Sequence, residues 1–307
     1  MEPPRPDPWP SSTQWELLAP DLLTRERLVQ DLYFREGWGE TVAALGPDPV
    51  VPLLDVAVLA FKPEAIAARR VRPTLDHLRA HGFQALAAVA FRFNRHSMRE
   101  VWRYDWTVYP NSRLSFSTTW YEAAETVLIL FKDKALEAGR SASLRLASLK
   151  GSAIAAERAA DSLRTVLDPP NQVLNFVHVA DTPGEIVREL GILLDRDERT
   201  ALLEVIAGGA VPFTMNPDRI IDKLEARQAP HDLDFGRAIE RLKEALPEAR
   251  EQLDELVARH SSGDFVGWDE ICSAIPLEDL RIAPWDRICV ASHLIERERQ
   301  WAAADQA

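Results

Sequence analysis

Apolar positions change their spacing three times along the chain. From Trp15 to about Ala44 they recur near helical spacing, with Leu22, Leu23, Leu28 and Leu32 as markers. GPDPVVP (46–52) then reads as a linker. Beyond it come four short apolar runs: DVAVLAF (55–61), ALAAVAFRF (85–93), TVLILFK (126–132) and QVLNFVHVA (172–180). Runs of this length, rich in Val, Leu and Phe, predict strands buried on both faces, although the alanines of the second are weak strand formers. Between them the spacing is helical. One helix starts at about Arg72, carries Pro73 in its first turn, buries Leu75 and Leu78, and stops at Gly82. Trp- and Tyr-rich helical segments continue to about Tyr121, and residues 135–165 read as largely helical. Pro183 and Gly184 lead into one more helix.

The order β-α-β, α, β, α, β-α is that of a split βαβ, ferredoxin-like layer. From about Gly191 onward no strand is expected. Residues 197–208, 217–227, 233–259 and 284–304 carry helical spacing, with Pro247 splitting the third. Leu233, Ala238, Leu242, Leu246, Leu253 and Val257 form its buried stripe. The expected class is therefore α+β with an additional all-helical C-terminal region. Three parts are expected: a Pro-rich then helical extension (1–52), the α+β domain (53–192) and a helical domain (193–307).

Composition narrows the function classes. The 307 residues carry a formal net charge of -12, which repels phosphate backbones and anionic lipids, so neither nucleic acid nor a membrane is the expected partner. No apolar run approaches the roughly 20 residues of a membrane span. MEPPRPDPWP lacks the apolar core of a signal peptide. Cys272 and Cys289 have no metal spacing and read as free thiols, which suits the cytoplasm.

The chemistry candidate is His178, an ionisable ring inside the apolar run NFVHVAD. A rigid strand is a good mount for a nucleophile. Glu189, eleven residues on, falls on the following helix, where its carboxylate can reach an imidazole N–H, fix the tautomer and stabilise positive charge on the ring. Asn175, three residues before, should point to the opposite strand face unless a bulge intervenes.

NFVHVADTPGEIVREL resembles the active-site segment of nucleoside diphosphate kinases, N-x-x-H-G-S-D-S followed by a helix ending in R-E-I. FKPEAIAARRVRPTLDHLRAHGF (61–83) is similar to that family's first strand running into K-P-D and a helix ending at G-F. ETVLILFK resembles its G-P-V-V-A-M-V-W strand, LRLASLKGS its R-x-x-L-G-x-T segment and SLRTVL its T-I-R-G-D-F segment, so the likeness covers about residues 54–191. The resemblance implies a phosphotransferase that moves the γ-phosphate of a nucleoside triphosphate to a nucleoside diphosphate or related acceptor through phosphorylated His178. It further implies Glu189 as the orienting carboxylate and Lys62 as a phosphate and ribose contact. Arg145, Arg164 and Ser152 would bind phosphate, and Asn175 would contact ribose. Trp102 would lie beside the nucleophile, and Leu114 or Phe116 would meet the base. Magnesium would arrive with the nucleotide, and a homo-oligomer would be the assembly.

Two departures from the pattern matter. Val179 and Ala180 stand where the family has Gly and Ser, and SAIAAERAADSLR (152–164) reads as a helix instead of a Pro- and Gly-rich loop. They sustain an alternative reading: a nucleotide-binding regulatory module with little turnover, signalling to a protein partner through the C-terminal helices.

Overall fold

The computed structural model describes residues 8–295. Most of the Pro-rich N-terminus (1–7) and the last part of the helix expected over 284–304 (296–304) lie outside the described residues. The long N-terminal helical stretch is three helices, each begun by its own side-chain cap. They are α1 (Ser12–Leu18), α2 (Leu22–Val29) and α3 (Leu32–Leu45), capped by Ser11, Asp21 and Asp31. The expected linker 46–52 is in part a helix: α4 (Val50–Leu54) starts inside it, with Pro52 in the first turn, where no N–H is required.

The strands are β1 (Val56–Phe61), β2 (Phe83–Phe91), β3 (Thr126–Asp133) and β4 (Val177–Val179). They form one antiparallel sheet in the order β2-β3-β1-β4, the ferredoxin-like split βαβ arrangement. Every residue of β1 is buried, as is every residue of β3 except Lys132, so helices cover both faces of the two central strands. After β1 come α5 (Pro63–Ala67) and α6 (Val71–Ala80); after β2 come α7 (Arg95–Val101) and α8 (Asn111–Tyr121).

The stretch 135–165 is far less helical than its alanines suggest. It holds α9 (Ala142–Lys150), which Gly151 ends at φ 78°, and the start of α10 (Leu163–Leu167). The helix expected over 152–164 is an irregular loop with one short 3-10 turn, pinned where Arg158 donates to the carbonyls of Ser152 and Ala153. The fourth strand is also shorter than the apolar run 172–180. Asn171 Oδ1 accepts the N–H groups of Val173 and Leu174, which takes that backbone out of the ladder.

After β4 runs α11 (Pro183–Leu193), capped by Thr182 and Glu185 in a reciprocal box. It packs on α3 along a seam of small residues. A Cβ on Gly37 would meet the carbonyl of Val187 at 2.8 Å, and one on Gly191 would meet the carbonyl of Tyr33 at 3.2 Å. Among the described residues the elements that follow are helices: α12 (Arg196–Ile206), α13 (Pro217–Arg227), α14 (Phe235–Ala245), α15 (Arg250–Ser262), α16 (Trp268–Ala274) and α17 (Pro284–Ile295). Pro247 separates α14 from α15, and α12 and α13 pack against β2. Within the described residues no helix is long and apolar enough to cross a membrane.

Candidate active site around His178

His178 sits at the middle of β4, paired with Ala60 of β1, and its side chain is 15% exposed. Glu189 lies in the second turn of α11, one turn beyond the capping Glu185. Both Glu189 carboxylate oxygens are 2.9 Å from His178 Nε2. A carboxylate only accepts, so Nε2 carries the proton and Nδ1 is left with its lone pair and no hydrogen-bond partner among the described residues. The ring is held from the side by Trp102, edge to face at 4.9 Å between centroids.

Asn175 faces the same cavity as His178, against simple alternation, and the reason is local. Phe176 adopts φ 68°, a conformation costing a side-chain-bearing residue about 1–3 kcal/mol. Val177 N–H donates to Asn175 O at 2.8 Å across that tight turn. The turn is fixed by Glu64 and Lys62: Phe176 N–H donates to Glu64 Oε1 at 3.0 Å, and Phe176 O accepts from Lys62 N–H at 2.8 Å. Asn175 Oδ1 then accepts from Lys62 Nζ at 2.5 Å and from Arg164 at 3.2 Å, and Arg164 also donates to the carbonyls of Val177 and Gly151.

The electrostatics are those of cations kept partly out of water. Burial, partly offset by the charge on Glu64, brings the Lys62 ammonium down to about 7. Burial raises the Glu64 carboxyl against the pull of Lys62. Burial also lowers Arg164 to about 10, with Arg158 adding to it. Glu64 Oε2 accepts from Trp120 Nε1 at 2.7 Å, and Lys62 Nζ lies 5.1 Å from the centroid of that indole.

Lys62, Trp102, Ser152, Arg164, Asn175 and His178 all line one cavity of about 470 Å³. A second cavity of about 400 Å³ shares His178, Trp102 and Arg164 with it and reaches Glu185, which burial, aided by Glu189 and Asp181, raises to about 7. Two expectations need correction. Arg145 faces away: it bonds Asp133 at 2.7 Å and His81 O at 2.5 Å, and lines a separate cavity of about 600 Å³. Leu114 does not line the His178 cavity, and its carbonyl is held by Arg99 and Ser117. Phe116 does line the His178 cavity, though it is fully buried, its ring against Trp120 and Trp268. Ser152 is at the cavity, but its hydroxyl donates to Glu157 at 2.7 Å.

Arg113 and Tyr109 were not expected there. Both line the cavity, with the guanidinium 4.1 Å from the phenol ring, and Arg113 has no carboxylate partner among the described residues. A signal for Arg113 was present: it falls three and seven residues before Phe116 and Trp120, on one face of α8.

No family model matches the chain, and no curated protein matches it. Among solved structures, the chain is similar to the nucleoside diphosphate kinase of Aquifex aeolicus. That match has 19% identity over 47% of this chain and 97% of that one, with a TM-score of 0.38. It is also similar to an NDP kinase from Pyrobaculum aerophilum, at 14% identity over 47% and 97% and a TM-score of 0.36.

Proposed function

We propose that the protein is a phosphotransferase that carries the γ-phosphate of a nucleoside triphosphate on His178 and passes it to a nucleoside diphosphate. The observation that carries this reading is the imidazole fixed at Nε2 by Glu189, with Nδ1 unpartnered beside a cavity lined by Lys62, Arg113 and Arg164. In the first half-reaction Nδ1 attacks the γ-phosphorus. The N–P bond forms, the bond to the bridging oxygen breaks, and that electron pair leaves on the diphosphate. A terminal oxygen of the acceptor diphosphate reverses the step. Glu189 balances the positive charge that develops on the ring, while the three cations face the charge on the equatorial oxygens.

Magnesium would enter with the nucleotide and neutralise its phosphates. No group of three His, Cys, Asp or Glu side chains forms a ready metal cage among the described residues. The donor set therefore suits a cation carried on phosphate oxygens and water, and Asp105, at the cavity wall, would hold one of those waters.

Incubation with γ-labelled ATP and magnesium should give an acid-labile, alkali-stable phosphoprotein whose label chases onto added nucleoside diphosphates. ATP binding without any label would leave a regulatory module. The displacement of Arg145 and the engagement of the Ser152 hydroxyl favour that second reading.

A pH dependence follows from Lys62. Its charge is present below about 7 in the nucleotide-free protein and is lost as pH rises through that value. Because the charged form holds phosphate, kcat/KM should fall on the alkaline side, by up to about tenfold per pH unit. Lys62→Arg should flatten that limb. A wild-type profile that is level from pH 6 to 9 would remove Lys62 from this role.

A further inference from the structure

The cavity wall formed by α8 rests on the C-terminal helices: α16 and α17 both pack against α8. At that contact Trp268, the first residue of α16, sets its ring 5.5 Å from that of Phe116 at 61°. Phe116 stacks at 14° on Trp120, 6.1 Å away. Trp120 in turn donates its indole N–H to Glu64 and places its face under the Lys62 ammonium. The rings are buried, Trp268 at 8%, Phe116 at 0% and Trp120 at 3% exposed. Three rings in contact therefore connect the C-terminal region to the lysine and to the carboxylate that holds the Phe176 turn. Close-packed side chains of this kind have few alternative arrangements, so a change at one end displaces the other.

We propose that Trp268 is a positioning residue for the phosphate site, acting through Phe116 and Trp120 on Lys62 and Glu64. For its effect on phosphate transfer this rests on the reading above; for the placement of Lys62 it does not. The helix bearing Trp268 is itself anchored, since Glu270 accepts from Arg259 at 2.5 Å and from Gly267 N–H at 2.9 Å. The seat of α8 is thus set from outside the sheet.

The test uses the full chain with Trp268→Leu, which keeps most of the volume, Trp268→Ala, and Trp268→Phe, which keeps a ring. The first readout is the rate at which an amine-acylating reagent modifies Lys62 at pH 7, followed by peptide mapping. With Trp120 unseated, water reaches the ammonium and favours its charged, unreactive form. For a rise of about half a pKa unit from about 7, labelling at pH 7 should slow about twofold in the Leu and Ala variants and return close to wild type in Phe. The second readout is single-turnover phosphorylation of His178, expected to slow about tenfold in Leu and Ala and to recover in Phe. Lys62 labelling equal to or faster than wild type in folded Trp268→Leu overturns the proposal, whatever happens to melting temperature. Slowed labelling in a protein whose wild type never takes up phosphate would uphold the relay and sink the phosphotransfer reading instead.

Discussion

His178→Ala should remain folded, bind nucleotide within a few-fold of wild type, and lose phosphotransfer by on the order of 10⁴-fold or more. The size of the loss follows from the site. Among the lysine and serine side chains lining the cavity, the groups that could attack phosphorus are engaged: Lys62 donates to Asn175, the Ser117 hydroxyl to Leu114 O and the Ser152 hydroxyl to Glu157. The remaining cations would still hold the triphosphate but have no group to pass it to. Truncation also leaves the Glu189 carboxylate, 5% exposed, without its imidazole partner. His178→Gln, which supplies an N–H to that carboxylate, is therefore the companion variant that separates lost chemistry from lost stability. Label uptake surviving in both variants would place the phosphate on another residue. Nucleotide binding lost in both would show that the imidazole serves binding and not transfer.

Arg188→Ala should cost about 3–5 kcal/mol in urea unfolding, the largest stability effect expected of a single side chain here. Arg188 bonds Asp31 at 2.7 Å with both side chains buried, at 6% and 1% exposed, and donates to the carbonyls of Glu100 and Val101 at the end of α7. Removing it strands a carboxylate and two carbonyls that water reaches poorly. Replacing Arg188 by leucine together with Asp31 by asparagine, which can still accept from Phe34 N–H, should cost less than the single truncation, because no charge is then left unpaired. A loss under about 1 kcal/mol in Arg188→Ala would mean that water substitutes for the guanidinium. The same contact joins α3, α7 and α11, so the variant should also loosen Trp102, the residue that follows α7, against His178.

Much of this arrangement was legible in the chain. β1 and β3 announced themselves because strands covered on both faces need apolar residues at every position, and the span to Glu189 placed a carboxylate on the right face of the next helix. Other features were not legible because a few polar contacts override periodicity. The turn that aims Asn175 depends on Glu64, more than a hundred residues away, and its cost falls on a phenylalanine that carries no local mark of it. Residues 152–164 are rich in alanine, yet Gly151 and the Arg158 bonds to Ser152 and Ala153 hold them irregular. Arg145 illustrates the limit of motif spacing. Its position along α9 resembles a phosphate ligand, but the buried Asp133 carboxylate offers the guanidinium a nearer partner.

The glycine seam between α3 and α11 bears on how such a chain can diverge. Gly37 admits no added carbon without moving the Val187 backbone, and a Cβ on Gly191 would press the carbonyl of Tyr33 at 3.2 Å. The helix that presents Glu189 to the histidine is thereby fitted to one particular N-terminal partner. Mutational drift on either side is confined to paired changes, and an N-terminal segment borrowed from another protein would have to bring its own complementary gaps.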